Sequence, residues 1–227
     1  MSIEIQRIGG VLGVELLHFD VKRSRPQETW RKLRSLVAEH CLLLIRGEAL
    51  TAPEFVGFAE SLGPLMDHSV HSPKHIAPGA PKAQIISSRP DGFRYAGQAW
   101  HSDYSYIEDP ADLTCFYMNR IPAVGGDTGF ANMCAAYDAL SERMKAMIEG
   151  LDAVHHNAHR RRLQYLADDA PLTKRALDAL PPVKHPMVKR HPLTGRTPPF
   201  RCTWMSSPSI TMTYVLPLST GSTEKSW

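Results

Sequence analysis

Residues 67–97 limit the possible folds more than any other part of this 227-residue chain. The stretch is rich in Pro, Gly, Ser and His, and its single strand candidate is Gln84-Ile85-Ile86. A segment this long with so little regular pattern normally serves as a functional lid or a disordered insert. It also interrupts the regular strand–helix alternation that a doubly wound parallel sheet requires. A fold with its short strands gathered around a loop-rich centre is what remains.

The flanking segments agree. Residues 27–40 carry Trp30, Leu33, Leu36 and Val37 at helical spacing, and residues 41–45 read as a buried strand. Thr51-Ala52-Pro53-Glu54 is a capping-box pattern opening a helix that buries Phe55, Phe58, Ala59 and Leu62 and stops at Gly63-Pro64. Further strand candidates fall at 98–104, 113–118 and 129–134. Residues 135–149 read as one amphipathic helix burying Tyr137, Leu140, Met144 and Met147 or Ile148, closed by Gly150, with the methionines as core filler. Beyond the Pro181-Pro182 break lies a strand candidate at 187–190, and Ile210, Met212, Tyr214 and Leu216 alternate well enough for one strand within 209–218. These elements predict a mainly β architecture, a sandwich or jelly roll with helices packed outside.

Composition narrows the function classes. With 43% hydrophobic and 22% charged residues, the chain can bury one sizeable core, so a single domain is the default. A net charge of +3 is too small to suggest a nucleic-acid partner, and His159-Arg160-Arg161-Arg162 reads as a solvated helix face or an anion-facing loop. Cys41, Cys115, Cys134 and Cys202 show no paired spacing, and buried reduced thiols in a reducing cytosol are expected. MSIEIQRIGG is not a signal peptide, and the longest apolar run, Cys41 to Ile45, is far too short to cross a bilayer. The expectation is a soluble cytoplasmic protein with no membrane partner. Its oligomeric state, including a homo-oligomer, is left open.

Chemistry concentrates at Trp100-His101-Ser102-Asp103. On an extended strand, residues i and i+2 share a face, so His101 and Asp103 can reach one metal ion. They would supply two thirds of a 2-His-1-carboxylate facial triad, which leaves positions open for oxygen and a co-substrate. Alone, His-x-Asp is weak evidence. Gly125-Gly126-Asp127-Thr128, taken alone, is an ordinary turn.

Taken together these segments resemble a family. Trp100-His101-Ser102-Asp103 with Tyr106, Gly125-Gly126-Asp127-Thr128-Gly129-Phe130 and Ala135-Ala136-Tyr137-Asp138-Ala139-Leu140 are similar, in order, to the taurine/2,4-dichlorophenoxyacetate dioxygenases (TauD/TfdA). So are Ile45-Arg46-Gly47, Leu62-Gly63-Pro64-Leu65 and the block from His185-Pro186 through His191-Pro192 to Thr194-Gly195-Arg196. The resemblance implies a double-stranded β-helix (jelly roll, clavaminate synthase-like) in residues 1–196, with 197–227 an atypical tail and the fold incomplete at its C-terminal end. It implies an Fe(II)- and 2-oxoglutarate-dependent dioxygenase that uses O2, releases succinate and CO2, and hydroxylates a small anionic organic substrate. By position it makes His101 and Asp103 iron ligands and Thr128 a hydrogen-bonding partner of a 2-oxoglutarate carboxylate. Asp103 argues against halogenating relatives, where a small residue stands. His68 and His71 fall where family members place substrate-contacting side chains, a solvent-facing loop being the alternative. Trp100 and Tyr106 are expected to pack beside the metal strand. His155, His156 and His159 match no ligand position, and His185 and His191 lie in a block with a structural role.

The pattern fails at its far end. The family completes its site with a distal His and, further on, an Arg that pairs with the co-substrate's far carboxylate, and neither has a counterpart here. A gene truncated or frame-shifted near codon 197 is the expectation, testable in the nucleotide sequence. The alternative function that follows is a catalytically inactive remnant of the family.

Overall fold

The computed structural model describes residues 3–47, 49–67, 76–86, 100–119, 128–156 and 181–189, together with the backbone of 210–215. In chain order its elements are β1 (Glu4–Arg7), β2 (Val14–Leu17), α1 (Gln27–His40), β3 (Leu42–Arg46), α2 (Ala52–Leu62), β4 (Ile76–Ala77), β5 (Ala80–Gln84), β6 (Leu113–Met118), α3 (Met133–Asp138), α4 (Glu142–Ile148), β7 (Asp152–His155), β8 (Val183–Pro186) and β9 (Ile210–Val215). They divide into two compact units, one drawn from Met1–Ile85, Thr114–Phe130 and Ile210–Trp227, the other from Ile86–Leu113 and Ala131–Ser209.

The first unit is a five-stranded sheet in the order β1-β2-β3-β9-β6, with α1 and α2 packed beside it. β1 and β2 are antiparallel, whereas β3 runs parallel to both of its neighbours, with Leu43 opposite Val14 on one side and Met212 on the other. Leu42, Leu43, Leu44 and Ile45 are all buried, the continuous apolar run expected of a parallel strand covered on both faces. Against them α1 lays Trp30, Leu33, Val37 and Ala38. The expected strand start at Cys41 is corrected. Cys41 is the left-handed cap of α1 (φ 65°), and its N–H donates to the Val37 carbonyl at 2.7 Å.

The capping box at α2 is present as predicted. The Glu54 N–H donates to Thr51 Oγ1 at 3.3 Å, and the Thr51 N–H donates to Glu54 Oε2 at 2.7 Å. At the other end of the helix, Arg34 Nη1 donates to the Leu62 carbonyl at 2.8 Å, satisfying one of the last acceptors. Trp30 stands edge-on to both Phe19 and Phe58, with centroids 6.4 and 5.9 Å away. The Pro78-Gly79 turn (Gly79 φ 71°) joins β4 to β5, and Ala77, Ala80 and Ala83 of this hairpin pack on Ala52, Phe55 and Val56. The strand therefore covers residues 80–84 and not 84–86. The turn sets the register, leaving Ile85 and Ile86 exposed.

In the second unit the expected helix over 135–149 is two short helices, and no strand occupies 129–134. Asn132 accepts the Ala135 N–H at 3.0 Å and starts α3. Ser141 accepts the Met144 N–H at 3.3 Å and starts α4. The Ser141 cap falls inside the expected run and takes an N–H that a continuous helix would bond to a backbone carbonyl, which breaks the run in two. Met144 and Met147 are exposed, not core filler, while Gly150 does close α4 with φ 74°. β7 and β8 are antiparallel, Ala153 opposite His185 and His155 opposite Val183. The strand expected at 187–190 thus lies at 183–186, and the Met187 N–H bonds to the Leu151 carbonyl at 2.7 Å where the ladder ends. Cys41, Cys115 and Cys134 are half-buried, less than expected.

Candidate functional site

His101 and Asp103 meet, although not on a strand. Residues 100–104 have no strand geometry, which corrects the expected i, i+2 pairing on one face of a sheet. The backbone turns at Asp103, and Tyr104 takes a left-handed conformation with φ 53°. The turn is closed by a hydrogen bond from the Ile107 N–H to the Tyr104 carbonyl at 3.1 Å. Burial differs along it. Ser102 and Tyr106 point inward at 7% and 5% exposure, while the side chains of His101 and Asp103 are 34% and 38% exposed. Tyr106 is buried, its ring 5.8 Å from that of Tyr104, whereas Trp100 is exposed.

His101 Nε2 lies 3.4 Å from Asp103 Oδ1. Two donors each about 2.1 Å from one ion, at adjacent coordination positions about 90–110° apart, stand roughly 3.0–3.4 Å from each other. The spacing, the imidazole and carboxylate donors, and the partial exposure of both side chains fit a divalent ion held at two adjacent positions. Among the described residues no third His, Cys, Asp or Glu completes a cluster with them.

Thr128 is exposed and belongs to the first unit. His68, His71, Gly125, Gly126, Asp127, His159, His191 and Cys202 lie outside the described residues. The histidines of the β7–β8 ladder are buried. His155 and His185 are each 7% exposed, their rings 5.4 Å apart and nearly perpendicular. His185 Nε2 lies 3.1 Å from the carbonyl oxygens of both Ser105 and Ile107, in the turn that follows Asp103. This link was not foreseen. Ala153, His155 and His185 alternate with more exposed neighbours along the two strands, a pattern visible only in the structure.

The sequence matches the model of the family "Taurine catabolism dioxygenase TauD, TfdA family" over residues 4–212. It is 32% identical over 191 residues to the (S)-phenoxypropionate/alpha-ketoglutarate-dioxygenase of Sphingobium herbicidovorans, covering 82% of this chain and 64% of that protein. To the alpha-ketoglutarate-dependent 2,4-dichlorophenoxyacetate dioxygenase of Cupriavidus pinatubonensis it is 30% identical over 209 residues, covering 86% of this chain and 72% of that one. The chain thus spans about two thirds of the length of these relatives. The crystal structure of AAD-2 in complex with Mn(II) and N-oxalylglycine superposes with a TM-score of 0.65 at 22% identity, covering 89% of this chain and 70% of that one, a likeness of fold. Family model, relatives and fold agree with the converging His101–Asp103 pair: the chain belongs to the TauD/TfdA family.

Proposed function

We propose that this chain acts as an Fe(II)- and 2-oxoglutarate-dependent dioxygenase, and that its sheet is part of a double-stranded β-helix. The observation that carries the reading is the 3.4 Å approach of His101 Nε2 to Asp103 Oδ1 in the segment that bears the family motif. His101 and Asp103 would hold the metal, and the Thr128 hydroxyl would donate to a carboxylate of 2-oxoglutarate. When bound, Fe(II) would activate O2, the oxidant, with two of its four electrons drawn from 2-oxoglutarate as it becomes succinate and CO2 and two from the substrate. The chain's own contribution is orientation. Burial of Ser102 and Tyr106 fixes the turn so that both donors face one point, and their remaining exposure leaves room for co-substrate and substrate.

The substrate is a small organic anion. The relatives named above act on phenoxypropionate and 2,4-dichlorophenoxyacetate, both aryl ethers of short carboxylic acids, and that class is the first to test. Hydroxylating the carbon that bears the ether oxygen gives a hemiacetal-type product, which collapses to a phenol and a carbonyl compound.

The test is succinate formation from 2-oxoglutarate with Fe(II), ascorbate and an aryloxyalkanoate, with phenol release as a second readout. Turnover that disappears in His101→Ala and Asp103→Ala supports the proposal. If the chain binds metal without turnover, the inactive-remnant reading replaces this one.

A further inference from the structure

The β7–β8 ladder presents one buried face made of Ala153, His155 and His185. Because Ala153 pairs with His185, His155 falls on the diagonal, and the two rings meet edge to face. A buried imidazole needs hydrogen-bond partners. His185 Nε2 has two, the carbonyl oxygens of Ser105 and Ile107, each at 3.1 Å. Carbonyls only accept, so Nε2 carries the proton and donates to both.

Those carbonyls belong to the turn that leaves the candidate metal pair. The turn holds Tyr104 at φ 53°, a left-handed conformation that is unfavourable for a side-chain-bearing residue. Such a conformation persists only where its surroundings over-determine it. Burial of Tyr106 supplies one restraint and the three-centre bond from His185 supplies another.

We infer that His185 is a positioning residue for the His101–Asp103 pair. It pins the 104–107 turn from the buried side, and His155 holds its ring edge-on. The inference rests on the proposed metal-binding role of the pair. It extends that role to an element some eighty residues away in sequence, since His185 and Ser105 are separated by 80 positions.

The experiment compares the unaltered full chain with His185→Ala and His185→Gln. Glutamine carries an amide N–H that can reach the same carbonyls. Amide hydrogen exchange over residues 104–107 is measured in metal-free protein, and Mn(II) affinity by electron paramagnetic resonance of the free ion. His185→Ala is expected to speed exchange at Ile107 and to weaken Mn(II) binding about tenfold, the low end of losses seen when groups behind a metal ligand are removed. His185→Gln is expected to recover most of both. Unchanged exchange in His185→Ala, or a glutamine variant as defective as alanine, overturns the inference. If the unaltered chain binds no Mn(II), the metal reading fails and takes the role of His185 with it. Tight Mn(II) binding that survives His185→Ala sinks the inference alone.

Discussion

Removing one oxygen atom from Tyr117 tests how β6 is joined to the start of α2. The Leu50 N–H donates to the Tyr117 hydroxyl at 3.0 Å, one residue before the Thr51 cap, and Leu50 is 3% exposed. The Tyr117 ring also packs on Phe55 with centroids 5.6 Å apart. Tyr117→Phe keeps that ring contact and strands the Leu50 N–H away from water. A buried donor left without its acceptor costs about 1–3 kcal/mol, whereas a made hydrogen bond contributes only about 0.5–1.5 kcal/mol net. The stranded donor therefore dominates. For a chain of this size the loss corresponds to a fall in Tm of roughly 2–12 °C. Urea unfolding followed by tryptophan fluorescence measures it, with Trp30 held between Phe19 and Phe58 as a reporter in the same unit. The midpoint should fall with no change in slope. A midpoint equal to that of the unaltered protein would refute the assignment of Tyr117 as the partner of Leu50.

Three further outcomes are expected. Asp103→Glu keeps the charge but carries the carboxylate about 1.5 Å outward, far beyond the roughly 0.2 Å tolerance of a metal–ligand distance, so Mn(II) affinity should drop. Equal affinity would remove Asp103 from the ligand set. The Thr51 backbone and side-chain hydrogen bonds, with Lys22 adding its charge, hold the Glu54 carboxyl below the ordinary value of 4.5. A depressed carboxylate pKa stabilises the fold above its unfolded value, and that contribution is lost as pH falls through the folded one. The acid-side loss of stability between about pH 5 and 3 should accordingly be shallower in Glu54→Gln, as read from urea midpoints across that range. Finally, Cys115 retains some solvent contact, yet desolvation pushes its thiol up to about 12. In native protein at pH 8 it should resist alkylation by iodoacetamide and react once urea unfolds the chain, with peptide mass spectrometry reporting the site.

Legibility in the sequence followed how local the deciding physics is. α1, α2 and the capping box were readable because spacing, cap and stop signal all lie within one short segment, and β6 at 113–118 appeared where its apolar run predicted. The misplacements share a cause. Ser141 offers a cap that outcompetes helix continuation, so the helical spacing of Tyr137, Leu140 and Met144 could not reveal the break. The hydrophobic pair Ile85-Ile86 was a weaker guide than Pro78-Gly79, whose turn decides which residues pair. At the site, the motif identified His101 and Asp103, but they meet outside any strand, in a segment followed directly by a left-handed tyrosine. Nothing in the residue types announces that conformation. The part played by His185 depends on a contact between residues 80 positions apart, which no local pattern encodes.

The position of β9 also bears on how the chain is made. It lies between β3 and β6, and its partner Leu42 leaves the ribosome long before Thr211 is synthesised. Through most of translation, the run of Leu42 to Ile45 presents an unpaired apolar edge, open to chaperones and to the same edge on neighbouring nascent chains. β1, β2, β3 and α1 are close enough in sequence to assemble early, but the sheet itself closes only after synthesis has passed Val215. Its rate of closure is then governed by a non-local parallel pairing, among the slowest steps available to a folding chain.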